Sequence, residues 1–390
     1  MRIKDLKFDC KYFKGYMPCE PNKLHDVSCN DCSHYEDLPD WNNVVTDKKL
    51  RKNNIVLEES NFKRILFIKL GAIGDVIRTT PLITKYNNTY PNCHFTWLTL
   101  SPDVLPTNKI DKIYKWDKDS VKIIKNQQFD IALNLDKDKE ACELLADVRA
   151  KEKFGFIWKD NHIDIATAKA EHKLITGLFD HISKKNTKNY MEEIFEICHF
   201  DFNKEEYMIN LNNNLNEKWA KRLKVISKEK TIIALNTGCG ERWKTRLWPK
   251  EYWIKLIKDL EKQGYFCLLM GGLQEDAMNT YYTQQTNATY FGYFSLEEFI
   301  AITNNSQIIV TPVSMIMHVA LALRKQLMLF HNIFNIHEFE LYDRGVIIEP
   351  TTSCDCYFGN TCSRERSCMY DISVQDVLSN IAKLNDNVNK

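Results

Sequence analysis

Asp75 follows the spacing Gly71-x-x-Gly74 directly after an apolar run, Ile65-Leu66-Phe67-Ile68, and this joining of an acid to two glycines is the first place to look for chemistry. The stretch reads as a buried strand entering a tight turn, then a helix that starts at or near Asp75. Such a turn brings backbone close to a ligand and aims a helix N-terminus at it, which suits a phosphate-bearing substrate. A carboxylate facing a cleft can also take the proton of an attacking hydroxyl. The plainer alternative is an acid that only complements the positive end of its helix. The spacing is not Gly-x-Gly-x-x-Gly, whose acidic partner comes about 20 residues later, so hydride transfer gains no support.

A second constellation lies in the C-terminal half. After the apolar run ending at Asn236 comes Thr237-Gly238-Cys239-Gly240, built for close backbone approach, followed by Arg242, Lys244 and Arg246. Guanidinium groups pair with diphosphate oxygens through two hydrogen bonds at once; a solvated basic loop is the alternative. Glu275 follows Gly271-Gly272, and an isolated surface glutamate would look the same. Ser314 and His318 fall at i and i+4 on one helix face, Ser314 near the helix N-terminus where it can bind phosphate. A helical histidine is equally at home in a core.

Thirteen cysteines are unevenly spread. Cys10, Cys19, Cys29 and Cys32 form C-x8-C-x9-C-x2-C in a turn-rich segment too short for its own core, with His25 and His34 nearby. Small modules of that kind are held by a metal or by bridges, and four thiolates satisfy tetrahedral zinc. Structural zinc is the expectation there, against inert thiols or an iron site. Cys354, Cys356, Cys362 and Cys368 form C-x-C-x5-C-x5-C, too tight at its start for an ordinary zinc knuckle. Arg364 and Arg366 beside them are expected to lower the thiol pKa values, so metal binding, reactive thiols and structural thiols all stay open. Cys93, Cys142, Cys198, Cys239 and Cys267 read as core thiols.

These residues need elements to position them. The 390 residues suggest two to three domains, and 53 basic against 52 acidic residues, a net charge of +1, leave no global argument for a nucleic-acid partner. The run Lys48-Lys49-Leu50-Arg51-Lys52 reads as a solvated linker. No signal-like N-terminus and no uncharged apolar run of about 18 residues is present. A cytoplasmic protein is expected, at most peripheral to a membrane. Strands are expected at 65–70, 94–99, 130–135, 231–236, 266–270, 307–310 and 327–330, and helices at 75–87, 121–126, 191–198, 250–263, 296–303 and 315–323. Residues 151–189 carry little pattern, and 210–216 read as a polar connector. The alternation implies α/β architecture: two Rossmann-like, doubly wound parallel-sheet domains facing a ligand cleft.

The motifs together resemble glycosyltransferase family 9, the lipopolysaccharide heptosyltransferase-like family with the GT-B fold. The resemblance is carried by Ile68-Lys69-Leu70-Gly71-Ala72-Ile73-Gly74-Asp75-Val76-Ile77-Arg78-Thr79-Thr80-Pro81, by Asn236 to Pro249, by Met270-Gly271-Gly272 with Glu275, by His318-Val319-Ala320, and by Cys368-Met369-Tyr370-Asp371-Ile372-Ser373. It spans residues 63 to about 382. It implies an N-terminal acceptor domain over 63–205, a connector over 206–230 and a nucleotide-sugar domain over 231–390 ending in a closing helix. The cysteine-rich module at 1–45 and a linker at 46–62 are additions to that plan.

By resemblance the activity is inverting sugar transfer, heptose or a similar sugar, from a nucleoside diphosphate sugar such as ADP-heptose. The acceptor would be a saccharide, lipid-linked saccharide, lipopolysaccharide core or protein, and no cofactor would be needed for the chemistry. Asp75 takes the place of the general base. Gly74, Thr237, Gly238, Lys244, Arg246, Glu275, Ser314 and His318 take donor-binding places, Arg246 standing where the family usually has lysine at the phosphates and Glu275 at the ribose. One motif departs: the family's Asp-Ser/Thr-Gly-Pro-x-His is Val313-Ser314-Met315-Ile316-Met317-His318, without the acid and the glycine. Phe330 to Asn335 and His337-Glu338-Phe339-Glu340, where this rim continues, are the candidates for replacement contacts. Two other functions fit the same residues: a degenerate transferase that docks a partner through its cysteine module, and a redox or metal-sensing protein using the C-terminal thiols.

Overall fold

The computed structural model describes residues 1–36, 62–240 and 243–388. The linker expected over 46–62, with its lysine run, lies outside the described residues apart from Phe62, as does Arg242.

In chain order the helices are α1 (Glu20–His25), α2 (Ile73–Ile77), α3 (Pro81–Thr89), α4 (Lys118–Lys125), α5 (Lys139–Asp147), α6 (Glu171–Leu178), α7 (Asp180–Ser183), α8 (Tyr190–Ile197), α9 (Asn213–Ser227), α10 (Lys250–Lys262), α11 (Asp276–Gln285), α12 (Leu296–Asn304), α13 (Met315–Ala322) and α14 (Val374–Val388). The strands are β1 (Lys63–Ile68), β2 (Cys93–Thr99), β3 (Lys112–Lys115), β4 (Gln128–Asn134), β5 (Arg149–Lys159), β6 (His162–Ile165), β7 (Ile232–Asn236), β8 (Phe266–Met270), β9 (Ile308–Pro312), β10 (Gln326–Phe330) and β11 (Gly345–Ile348).

Two units emerge from the packing. The first comprises residues 1–71, 82–102 and 107–205, the second residues 72–81, 103–106 and 206–390. The first holds a six-stranded sheet in the order β3-β2-β1-β4-β5-β6, parallel except for the antiparallel β6. The second holds a parallel five-stranded sheet in the order β11-β10-β9-β7-β8. Both are Rossmann-like, as the βα alternation predicts. The central strands β1, β4, β7 and β9 are runs of Ile, Leu, Phe, Val and Ala buried along nearly their whole length, as parallel strands covered on both faces must be.

Several elements differ from expectation. The single helix expected at 75–87 is two: α2 starts at Ile73, ends at Ile77, and Pro81 opens α3 after a break at Arg78–Thr80. A proline lacks the N–H that a continuous helix needs and restricts the residue before it, so it starts a new helix instead. The unpatterned 151–189 segment contains most of β5, all of β6, and α6 and α7. The asparagine-rich connector is a helix start, with the Asn212 side chain accepting from the Leu215 N–H at the N-cap of α9.

At the end of β1, Lys69 is buried and its ammonium lies 2.6 Å from Asp136 Oδ1. The other oxygen of Asp136 accepts the backbone N–H groups of Leu70 and Gly71. Asn134 braces the acid in turn, accepting the Asp136 N–H and donating to its carbonyl. One carboxylate after β4 thus fixes both the cation and the turn that leaves β1. Asp136→Ala leaves Lys69 buried without its counter-ion, and a cost of about 3–5 kcal/mol is expected, read as faster amide hydrogen exchange in β1 and β4; unchanged exchange would show that the pair is dispensable.

Candidate active site

In the second unit two pockets adjoin at the C-terminal ends of the strands. The first, about 460 Å³, is lined by Asn236, Gly238, Cys239 and Gly240 after β7, by Gly271, Gly272 and Glu275 after β8, and by Arg246, Ser314 and an apolar group that includes Phe294, Leu296 and Phe299. The second, about 440 Å³, is lined by Gly74, Asp75, Arg78, Trp243, Phe334, His318, Glu338, Phe339 and Phe358 among others. Ile73, Arg246, Ser314 and Met315 line both. Volumes of this size suit a small ligand in each.

The first pocket is shaped by what glycine omits. A Cβ at Gly238 would overlap the Glu275 side chain. Glu275 closes a short turn by accepting the Gly272 N–H at 2.9 Å. Asn236 donates to the Gly238 carbonyl (2.8 Å), to the Thr311 hydroxyl (3.0 Å) and to Ser314 Oγ (3.3 Å), so one amide ties the β7 loop to the end of β9. Thr237 is buried behind the wall, its hydroxyl donating to Asn279 Oδ1, and it lines neither pocket. Lys244 is exposed and lines neither. Cys239, expected as a core thiol, is only partly buried and faces the pocket; the glycines on either side of it, which turn the loop toward a ligand, were the available signal.

Arg246 sits in a single 3-10 turn, Lys244–Arg246, and is buried. Its guanidinium donates to the carbonyls of Trp243, Cys239 and Val313 and lies over the rings of Trp243 and Phe334, 5.3 and 5.4 Å from their centroids. Burial lowers its pKa from the ordinary value, yet an arginine remains cationic. These carbonyl partners are neutral, so the charge is available to an anion in either pocket. The turn is held by Asn332, which donates to the Thr245 carbonyl, while the Thr245 hydroxyl donates to the Gly359 carbonyl.

In the second pocket Arg78 bridges two acids. Nη2 lies 2.9 Å from Asp75 Oδ1 and Nη1 lies 2.9 Å from Glu338 Oε1. Asp75 and Arg78 both line the pocket; Asp75 is about one-third exposed and Arg78 is largely covered. His318 packs directly on Gly74, where a Cβ would overlap the imidazole. That approach accounts for the second glycine of the motif. His318 Nδ1 is buried without a hydrogen-bond partner. Burial first, then the Arg78 charge, push the imidazole down to about 3 against the opposing pull of Asp75, so the ring is neutral at physiological pH. Trp243, Phe334, Phe339 and Phe358 make an aromatic wall, with Phe334 edge-on to Trp243 at 5.4 Å and to Phe358 at 5.0 Å.

The structure therefore gathers Gly74, Asp75, Gly238, Arg246, Glu275, Ser314 and His318 around two adjoining pockets and leaves Thr237 and Lys244 outside them. It adds Arg78, Trp243, Glu338 and Phe358, of which only Glu338 lies in a segment expected to supply replacement contacts, and Asn279 braces Thr237 behind the wall.

The two cysteine groups lie elsewhere. As the side chains stand, no three or more His, Cys, Asp or Glu side chains among the described residues are posed to hold a metal ion. Two of the C-terminal thiols are shifted opposite to expectation. Cys356 is pushed up to about 12 and Cys368 to about 11, by burial first and then by neighbouring cysteines. Arg364 is turned toward Asp355 and the Ser353 carbonyl, and Arg366 lies over the Tyr370 ring. Thiols held protonated are poor nucleophiles, so Cys356 and Cys368 are not the activated thiols that the neighbouring arginines led one to expect.

The family model for glycosyltransferase family 9 (heptosyltransferase) matches residues 120–354, more than half of the chain. Three solved structures share the fold. The glycosyl transferase family 9 protein from Veillonella parvula has a TM-score of 0.65 at 18% identity, over 83% of this chain and 97% of that one. The ADP-heptose lipopolysaccharide heptosyltransferase II of E. coli has a TM-score of 0.62 at 16% identity, over 84% and 100%. The E. coli heptosyltransferase WaaC, solved with ADP, has a TM-score of 0.57 at 12% identity, over 83% and 99%. Among curated proteins, no sequence matches this one. Among the described residues no helix is long and apolar enough to cross a membrane.

The depressed His318 imidazole has a measurable consequence. Above pH 6.5 it is neutral in both folded and unfolded chains. Below 6.5 the unfolded chain takes up a proton that the folded one refuses, and stability is lost by up to about 1.4 kcal/mol per pH unit until the folded ring titrates near 3. His318→Gln should flatten this dependence between pH 6.5 and 5 in urea unfolding, whatever it does to stability at pH 7. An unchanged slope would place the acid sensitivity elsewhere.

Proposed function

On the premise that the chain belongs to glycosyltransferase family 9 and is a glycosyltransferase, we propose that it transfers a sugar with inversion from a nucleoside diphosphate sugar to a saccharide hydroxyl, with Asp75 as the base. ADP-heptose is the donor we assign. ADP is the nucleotide bound by the solved relative WaaC. The observation that carries the reading is the pair of adjoining pockets with Arg246 and Ser314 at their junction, glycine loops and Glu275 on one side and Asp75 on the other.

In this reading the first pocket takes the nucleoside diphosphate. The apolar group with Phe294, Leu296 and Phe299 faces the base, Glu275 accepts from ribose hydroxyls, and the backbone at Gly238 and Gly240 approaches the diphosphate. The sugar enters the second pocket against the aromatic wall. Asp75 removes the proton of the acceptor hydroxyl, whose oxygen attacks the anomeric carbon from the opposite face. The bond from that carbon to the diphosphate breaks, and the departing oxygen takes the electron pair. Arg246 meets the charge that develops there. The chemistry asks for no metal.

Glu338 supports this reading at the point where the motif departs. Arg78 pairs with Asp75, and Glu338 fixes Arg78. An acid brought by the rim segment would thus orient the base through the arginine in a chain that lacks the motif aspartate. Glu338 is a positioning residue in this scheme, since it acts through Arg78.

Calorimetry with ADP, GDP, UDP and CDP tests the donor class. ADP binding should weaken by about 1.5–3 kcal/mol in Arg246→Ala, the scale of a charge-assisted hydrogen bond, and be largely kept in Arg246→Lys. No binding of any nucleotide would sink the enzymatic reading. Asp75→Asn should keep nucleotide binding and lower kcat by about 10²–10⁴. Glu338→Gln should lower kcat at least tenfold, about 1.4 kcal/mol, and displace the pH profile of kcat with little change in the donor KM; an effect on KM alone would remove it from the base.

A further inference from the structure

Residues 1–36 are a poor candidate for self-supporting structure. They contain one 3-10 turn, Ile3–Asp5, the six-residue α1 and no strand. Only Leu6, Cys10, Gly15, Pro21 and Asn22 are buried, while Tyr16, Met17, Leu24 and Tyr35 are exposed. Apolar burial on this scale cannot offset the entropy of ordering the segment. It is nevertheless tied to the rest of the first unit: Cys19 N–H donates to the Leu178 carbonyl, Asn22 accepts the Asp180 N–H, and Phe8 stacks on His162 at 4.1 Å.

What the segment has in place of an apolar core is sulfur. Cys10, Cys19, Cys29 and Cys32, spread over 23 residues of sequence, all line one cavity of about 20 Å³ together with Pro21, Val27 and Phe179. A cavity of that size holds about one water molecule or a single ion. The four thiols are close enough to act on one another electrostatically. Backbone N–H groups already point at two of the sulfurs, Asn22 at Cys19 and Lys7 at Cys29. Hydrogen bonds of this kind orient and support thiolate ligands. His25 and His34, the spare ligands, stack on each other at 4.3 Å and do not line the cavity.

We propose that Cys10, Cys19, Cys29 and Cys32 bind one zinc ion as a tetrathiolate site that staples residues 1–36 to the first unit. The sulfurs ring the cavity without converging on one point, so binding includes drawing them inward while four thiol protons are released to solvent. Four sulfur ligands from two separate loops give the closed tetrahedral shell of a structural zinc site. The site is independent of the sugar-transfer reading, since none of its residues lines either pocket of the second unit.

The test is metal content of the full-length protein purified under reducing conditions without chelator. The Cys29→Ser/Cys32→Ser protein should hold one equivalent of zinc less than wild type, whereas Cys32→His, which keeps four ligands, should retain it. Cys354→Ser/Cys356→Ser serves as the control that separates any metal held by the C-terminal thiols. Co²⁺ added to metal-free wild type should give the strong visible bands of a tetrahedral thiolate site, lost in the double variant. Should the double variant not fold, chelation of wild type gives the same answer: hydrogen exchange should rise in residues 1–36 and stay level in the second unit. Equal zinc in wild type and the double variant, a disulfide among these four cysteines in the reduced preparation, or exchange in residues 1–36 indifferent to chelation would each overturn the proposal.

Discussion

The buried pair of Lys69 and Asp136 constrains the chain more than any other single contact. Neither charge can stay buried alone: removing water from an unpaired ion costs several kcal/mol, and each of these satisfies the other at 2.6 Å. The same carboxylate accepts the N–H groups of Leu70 and Gly71, which leave the sheet with no strand partner. Asp136 therefore joins the register of two neighbouring central strands, β1 and β4, to the geometry of the turn leading into α2. Asp75 follows four positions after Gly71.

In the second unit the comparable constraint is close approach. Gly74 against His318 and Gly238 against Glu275 are contacts that no side chain with a Cβ could make unchanged. Each glycine brings together a loop and an element far from it in sequence. The polar network behind them, Asn236 with Ser314 and Thr237 with Asn279, satisfies buried groups and leaves the pocket walls stiff. Arg246 does both jobs: its carbonyl contacts brace three stretches of backbone, and its charge faces the pockets. This dual use explains why the position sits in a rigid turn instead of on a mobile loop.

Much of this was legible in the sequence because the signals were local. Continuous apolar runs marked β1, β4, β7 and β8, and glycine spacing marked the loops that follow them. β5 escaped because Arg149, Lys151, Glu152, Lys153 and Lys159 interrupt its pattern; its solvated first half looks like a loop. α11 escaped because Asn279, Thr280, Tyr281, Tyr282 and Thr283 form only a weak apolar stripe, although Asn279 is buried and essential to the network. The split of α2 from α3 was written in Pro81. Thr237 and Lys244 were misplaced for a different reason: their residue types fit the chemistry, but which way a side chain points after a turn is set by partners such as Asn279. No local pattern could link Arg78 to Glu338, 260 residues later.

The departed motif shows how charge balance limits what can be lost. Val313 and Met315 stand where the family pattern has an acid and a glycine, so the start of α13 carries no negative charge. Arg78 still lies against this region and must have counter-charge, because an arginine in a low-dielectric pocket cannot shed its proton. Asp75 supplies one acid and Glu338 the other. His318, packed on Gly74, cannot also be a cation beside Arg78, and its burial keeps it neutral. With His318 uncharged, the two acids of the second pocket, Asp75 and Glu338, are balanced by the two arginines that line it, Arg78 and Arg246.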